Sequence, residues 1–123
     1  PGLLVFVGLE PEDSAPIGEA LLQRILKYRI FADDQGRMNL SLLEVQGGLL
    51  LVPQFTLAAD TNKGMRPSFS SAAAPEQGRD LFQQVVELSR PQVSKLAVGE
   101  FGADMQVALV NDGPVTIWLD TAG

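Results

Sequence analysis

Two short apolar runs set the frame for this chain. Leu3-Leu4-Val5-Phe6-Val7 contains no polar side chain and stops at Gly8, and Leu49-Leu50-Leu51-Val52 follows Gly47-Gly48 and stops at Pro53. Runs this short and this uniformly apolar predict strands buried on both faces, as in sheets covered by other layers. Two segments have the spacing of covering helices. From Ser14 to Tyr28, Ile17, Leu21, Leu22, Ile25 and Leu26 recur at helical intervals, with Pro16 in the first turn and Ser14 or Ala15 near the cap. Pro75 opens a second helix to Ser89, with Leu81, Phe82, Val85, Val86 and Leu88 on its apolar side, and Pro91 stops it. Shorter strands are expected at Tyr28–Phe31, Lys95–Val98, Met105–Val110 and Val115–Leu119, with turns at Asp33-Asp34-Gln35-Gly36 and Gly47-Gly48. This order predicts an α/β protein, a single domain over residues 1–123. Its sheet is expected to be mixed, largely antiparallel and barrel-like, with two main helices.

The chain has no Cys and no His. Disulfide scaffolds, thiolate zinc sites, cysteine nucleophiles and Ser-His-Asp triads are thereby excluded. An enzyme built from these residues takes its base from a carboxylate, a lysine, a hydroxyl, the backbone or its own substrate. No phosphate-binding loop, dinucleotide loop or HExxH motif is present, and the Asp33-Asp34 turn lacks the other ligands of a calcium loop. No metal and no cofactor is expected. The formal net charge is −6 and the pI is about 4.4. Such a surface binds phosphate backbones poorly unless a local basic patch, or contact with one end of the nucleic acid, intervenes. No apolar run approaches the roughly 20 residues of a membrane span, and no basic, cleavable leader precedes the first strand. A cytoplasmic protein without a membrane partner is the expectation.

Polar atoms gather where two of the expected strands end. Pro53-Gln54-Phe55-Thr56-Leu57 continues the second apolar run, and Asn111-Asp112-Gly113-Pro114-Val115-Thr116 interrupts the last. A Gly-Pro bond adopts the cis form at a cost of roughly 0.5–1 kcal/mol, which aims successive carbonyls the same way. Together the segments suggest a receptor built largely of backbone. The Thr56 hydroxyl is either a nucleophile or a strand residue bonding its neighbours, Phe55 stacks on a base or fills the core, and Gln54 can orient a carbonyl or an adenine edge. Residues 58–74 form a long connection of the kind that often carries function. Within it, Lys63 and Arg66 flank Gly64 and Met65, either to hold a phosphate or as a solvated loop. Arg24, Lys27, Arg29 and Arg37 are a second cationic group.

With these residues in place, the chain resembles the D-aminoacyl-tRNA deacylases, which edit chirality in translation. The family's diagnostic segments are Ser-Gln-Phe-Thr-Leu and Asn-x-Gly-Pro-x-Thr, met here at Pro53–Leu57 and Asn111–Thr116. Further likeness lies in Tyr28-Arg29-Ile30-Phe31, Gly64-Met65-Arg66-Pro67-Ser68-Phe69 and Phe101-Gly102-Ala103-Asp104-Met105-Gln106-Val107. The resemblance implies the deacylase fold and a homodimer with sites at the interface. It also implies hydrolysis of the ester of D-aminoacyl-tRNA, with glycine wrongly placed on an alanine tRNA also admitted. Gly113 and Pro114, joined by a cis bond and entering the partner's pocket, become the chiral filter. Gln54, Phe55, Thr56, Met65, Arg66 and Asn111 become substrate-binding residues around the 3′-terminal aminoacyl-adenosine. The N–H groups near Phe55 and Thr56 become the oxyanion site. The ribose 2′-hydroxyl assists the chemistry, and a nucleophilic Thr56 ranks second.

Two departures leave alternatives open. Pro53 stands where the motif has Ser, which removes a hydroxyl and a backbone N–H, and points also to a sister animal family that removes L-alanine from tRNA. The family carries roughly two dozen further residues before Pro1, expected to form a strand pair and an Arg bracing the Gly-Pro loop; a molecule without them would have an open sheet edge and a less supported cis bond. A dimer that binds the aminoacyl-tRNA end without cleaving it is the other alternative.

Overall fold

The computed structural model describes residues 1–121. Its elements in chain order are β1 (Gly2–Val7), α1 (Ala15–Lys27), β2 (Phe31–Ala32), β3 (Met38–Leu40), α2 (Leu42–Val45), β4 (Gly48–Pro53), a 3-10 turn (Phe55–Ala58), α3 (Pro75–Ser89) and β5 (Leu96–Val98). The protein is α/β, as its order of periodicities predicts. Both long helices begin and end within a residue or so of the predicted positions, each with a proline in its first turn.

The sheet differs from expectation in direction. β1, β4 and β5 lie in the order β1-β4-β5, and both pairings are parallel, with Leu3 opposite Leu49 and Leu49 opposite Leu96. Each pair of strands is joined through a long helix. A chain that crosses back through a helix re-enters the sheet pointing the same way, whereas antiparallel neighbours need only a hairpin. Among the described strands the antiparallel pair is the short ribbon β2–β3. The parallel sheet stays open and does not close into a barrel.

The same register corrects the expectation that the apolar runs are covered on both faces. Leu3, Val5 and Val7 of β1, Leu49 and Leu51 of β4 and Leu96 of β5 point to one face. There they meet Leu22, Ile25 and Leu26 of α1 and Leu81, Phe82, Val85 and Val86 of α3. The two helices also pack on each other. Burial of each of these large side chains stabilises the fold by about 1.5–3 kcal/mol. Leu4, Phe6, Leu50 and Val52 point to the opposite face, where no helix lies among the described residues; Phe6 is exposed and Leu4 and Leu50 are half-buried, while Val52 is buried beside Gly99. Leu88, expected on the apolar side of α3, faces outward.

Two local features have clear causes. α2 is a single turn set by a capping box. The Ser41 hydroxyl accepts from the Glu44 N–H at 3.2 Å, and the Glu44 carboxylate accepts from the Ser41 N–H at 3.0 Å. The Asp33 turn is held by the aspartate itself. Its carboxylate accepts from the N–H groups of Arg37 and Gln35 and from the Asn39 amide, and its pKa is lowered mainly by the Arg37 N–H. Those oxygens are occupied by the turn's own donors.

Residues 105–119 form no strand, contrary to expectation. Alternation of apolar residues is sufficient for a strand only where a neighbouring ladder satisfies its N–H and C=O groups. The described residues offer this segment no such neighbour. Its ends are nonetheless fixed, because Met105 lies against Gly99 and Leu119 packs on the core.

Candidate functional site

Three of the sequence-predicted residues form one compact unit at the carboxyl edge of the sheet. β4 ends at Pro53, opposite Val7. The β4–β5 ladder has already ended at Leu51–Val98, so the missing Pro53 N–H interrupts no bond there, and its ring sits against Gly99. The next N–H, of Gln54, donates to the Val7 carbonyl at 2.8 Å and ties the turn to β1. The chain then coils into the 3-10 turn, closed by the Leu57 N–H donating to the Gln54 carbonyl at 3.1 Å. The N–H groups of Phe55 and Thr56 begin this turn and so have no carbonyl within it. Two adjacent backbone donors are thus presented side by side on an exposed face.

The side chains of the turn are organised as well. The Gln54 amide donates to the Thr56 hydroxyl oxygen, which fixes both groups relative to the free donors. Phe55 is 50% exposed, and its ring meets that of Phe69 edge-on, with centroids 5.1 Å apart at 66°. Beneath Phe55 lies a small apolar hollow lined by Val7, Leu9, Pro53, Ala73, Phe82 and Phe101, among others. Phe101 and Phe69 are contributors that patterning alone did not single out as site residues. Gly8 makes the arrangement possible. A Cβ there would lie 2.8 Å from Leu57 Cβ and 3.2 Å from the Gln54 carbonyl oxygen. Just beyond Gly8, Glu10 has a raised pKa, first from burial and then from Asp13, Asp120 and Glu12.

Met65 and Arg66 are not brought to this turn. Asp60 and Ser68 exchange backbone hydrogen bonds of 2.7 and 2.9 Å, closing a loop whose tip carries Lys63, Gly64, Met65 and Arg66. Met65 is 100% exposed at that tip. Of the second cationic group, Arg24 lies over the Tyr28 ring at 5.9 Å and donates to the Asp120 carbonyl, while Arg29 donates to the Asn39 amide oxygen.

The Asn111–Thr116 segment is a self-contained loop. The Asn111 side-chain oxygen Oδ1 accepts from the Val115 N–H at 3.0 Å, and its side-chain amide Nδ2 donates to the Thr116 hydroxyl at 2.9 Å. Between them the Gly113–Pro114 bond is cis. Gly113 has φ = 131°, and a Cβ there would meet Val115 Cγ2 at 2.8 Å, so this position requires glycine. The loop's hydrogen bonds stay within it, and neither Gly113 nor Pro114 lines the hollow beneath Phe55. Asn111→Ala removes both staples. Asn111→Asp keeps the acceptor for Val115, and the Thr116 hydroxyl can rotate to donate. Amide exchange at Val115 is expected to speed up about tenfold in the alanine variant and little in the aspartate variant.

An α/β domain that presents paired backbone donors at the end of a central parallel strand, with no imidazole or thiol, has the parts to hold an oxyanion or other anion by its backbone and none of the parts of a side-chain triad. The comparisons are more specific. A family model described as D-Tyr-tRNA(Tyr) deacylase matches residues 1–120. A D-aminoacyl-tRNA deacylase from Pseudomonas aeruginosa (strain UCBPP-PA14) is 60% identical over 120 residues, covering 98% of this chain and 83% of that protein. One from Pseudomonas putida (strain KT2440) is 60% identical over 118 residues, covering 96% and 81%. Among solved structures, "c-Myc DNA Unwinding Element Binding Protein" superposes with a TM-score of 0.91 at 36% identity, over 98% of this chain and 82% of that one. A structure described as "a probable eukaryotic D-amino acid tRNA deacylase" has a TM-score of 0.66 at 18% identity, over 84% and 76%, and shares the fold. The chain belongs to the D-Tyr-tRNA(Tyr) deacylase family.

Proposed function

We propose that this chain hydrolyses the ester bond of D-aminoacyl-tRNA, releasing the amino acid and free tRNA. One observation supports this reading above the others: the exposed 3-10 turn leaves the N–H groups of Phe55 and Thr56 without carbonyl partners, next to an apolar hollow, in a chain of this family. Two such donors stabilise the oxyanion that forms when water attacks the ester carbonyl. The exposed Phe55 ring suits stacking by the terminal adenosine, and the Gln54–Thr56 pair suits its ribose. The ribose 2′-hydroxyl takes a proton from the attacking water as it passes its own to the departing ribose oxygen, so the ester C–O bond breaks to give the free amino acid and the tRNA hydroxyl without an imidazole base. Purified protein given matched D- and L-tyrosyl-tRNA should cleave the D form alone. Intact D-tyrosyl-tRNA, at enzyme levels where a control deacylase clears it, would refute the proposal.

The role of Thr56 separates two versions of the chemistry. If the substrate's 2′-hydroxyl assists, Thr56→Ala retains activity within about fivefold, while a terminal 2′-deoxyadenosine lowers the rate about a hundredfold or more. The opposite pattern identifies Thr56 as the nucleophile.

The reading extends to a homodimer in which Gly113 and Pro114 enter the partner's pocket as the chiral filter. Glycine, with no side chain, passes such a filter, so glycine mischarged on an alanine tRNA is a further substrate. Val110 is 92% exposed and Trp118 is 67% exposed, on either side of the Gly-Pro loop, as expected of a face covered by a second copy. Met65 and Arg66 then approach substrate from an exposed loop. The proposal treats residues 1–123 as one domain, supported by the one core joining α1, α3 and β4. Charged tRNA as substrate implies a cytoplasmic setting. No helix among the described residues is long and apolar enough to cross a membrane.

A further inference from the structure

The chain has three methionines and no cysteine, so thioethers are its only sulfur atoms. A hydroperoxide that reaches the molecule meets no thiolate to consume it first. The three thioethers differ in access. Met105 is half-buried, and its sulfur lies 3.1 Å from where a Cβ on Gly99 would stand, next to the Pro53 ring. Met38, in β3, is 57% exposed. Met65 is 100% exposed, at the tip of the loop that Asp60 and Ser68 close. No atom lies within 4 Å of a Cβ added to the adjacent Gly64, so the tip is open there as well. The residue after Ser68 is Phe69, whose ring meets that of Phe55 in the turn carrying the two unpaired donors. The most accessible sulfur of the chain thus stands four residues from an aromatic contact with the candidate site.

We propose that Met65 is a modification site, the first sulfur of this chain that a hydroperoxide converts to the sulfoxide, and that the conversion weakens substrate binding. With hydrogen peroxide, a lone pair of the thioether attacks one peroxide oxygen. The S–O bond forms as the O–O bond breaks, and the proton of the attacked oxygen passes to the departing one, which leaves as water. Sulfur loses two electrons and the peroxide gains them. A flexible apolar side chain that adapts to a binding partner becomes a polar one. The order of oxidation stands on exposure alone. The effect on binding rests on the reading of Met65 as a substrate contact. The donors of the turn are backbone N–H groups, so the chemical step itself is spared.

The test treats the protein with rising doses of hydrogen peroxide and follows each methionine by peptide mass spectrometry. KM and kcat for D-tyrosyl-tRNA are measured on the same samples. Met65 should oxidise about twofold faster than Met38 and about tenfold faster than Met105. KM should rise about threefold to tenfold in step with Met65 sulfoxide while kcat holds, and methionine sulfoxide reductase should reverse the rise. Met65→Leu, compared with its own untreated sample, should lose this response to peroxide. Oxidation of Met38 or Met105 ahead of Met65 overturns the inference. So does a KM that stays constant as Met65 sulfoxide accumulates. A response that persists in Met65→Leu and follows Met105 also overturns it, and assigns the effect to the contact beside Pro53. These outcomes separate from those of the proposed activity. Wild-type protein that cleaves no D-tyrosyl-tRNA loses the hydrolase reading. The order of oxidation is then still read by mass, and the weakening is read as the Kd for an unhydrolysable D-aminoacyl amide of the trinucleotide CCA. Wild-type protein that does not bind this ligand overturns the binding effect together with the hydrolase reading.

Discussion

Replacing Gly8 by alanine should lower kcat/KM for D-tyrosyl-tRNA about a hundredfold while leaving the domain folded. The reason is distance. The added Cβ would lie 2.8 Å from Leu57 Cβ and 3.2 Å from the Gln54 carbonyl oxygen, and neither is the free end of a flexible side chain. The 3-10 turn has to move outward. That movement stretches the Gln54 N–H bond to Val7 and reorients the N–H groups of Phe55 and Thr56. A misplacement of about 1 Å at a catalytic constellation costs roughly a hundredfold in rate. The core helices are untouched, so the circular-dichroism spectrum should match wild type and the melting temperature should fall by only a few degrees. Gly36→Ala is the matched control. Gly36, unlike Gly8, has a positive φ, of 78°, but no atom lies within 4 Å of its added Cβ, so only stability should suffer. Activity in Gly8→Ala within threefold of wild type would mean that the turn is not the site.

The second large effect concerns stability. Leu51→Ala should destabilise the protein by about 2–5 kcal/mol. Leu51 is completely buried at the centre of β4, the middle strand, where the sheet meets α1 and α3. Total stabilities of domains lie near 5–15 kcal/mol, so this one change removes a large share. Chemical denaturation should show the midpoint falling sharply with an unchanged slope. Leu4→Ala, on the face that no helix covers, is the contrasting substitution and should cost clearly less, because Leu4 is only half-buried. Equal losses at the two positions would contradict the one-sided packing described above.

How much of this was legible in the sequence depends on which physical signal each feature leaves. The helices announced themselves through the spacing of Leu22, Ile25, Leu26, Leu81, Phe82 and Val85 and through a proline at each start. Strand direction left one mark in the patterning, since the continuous apolar runs Leu3–Val7 and Leu49–Val52 suit a parallel sheet better than the largely antiparallel one expected. The other cue lay in the connection, where a helix stands between Val7 and Gly48. The short helix α2 carried its own signature, Ser41 followed three residues later by Glu44, within a stretch read as a run into a turn. At Met105–Val110 and Val115–Leu119 the error ran the other way, since a real strand pattern lacks a ladder among the described residues.

The candidate site divides similarly. Gln54, Phe55 and Thr56 were legible as a motif, but the 3-10 geometry that frees two N–H groups was not, because it depends on the Gln54 bond back to β1. Phe69 and Phe101 lie far from the motif in sequence, and their meeting with Phe55 follows only from the fold.

The attachment of the turn to β1 has a consequence for how the molecule comes apart. β1 is an edge strand whose partner in β4 lies far along the chain, and closing such a separation in the chain is entropically slow. Edge strands with distant partners belong to the units that open sub-globally before the core does. The Gln54 N–H is held by a carbonyl of that strand, whereas α1 and α3 pack on each other as well as on the sheet. Under mild stress the donors of the turn therefore lose their alignment while the helical layer persists. Catalytic competence and helical content are set by two different thresholds within one small protein.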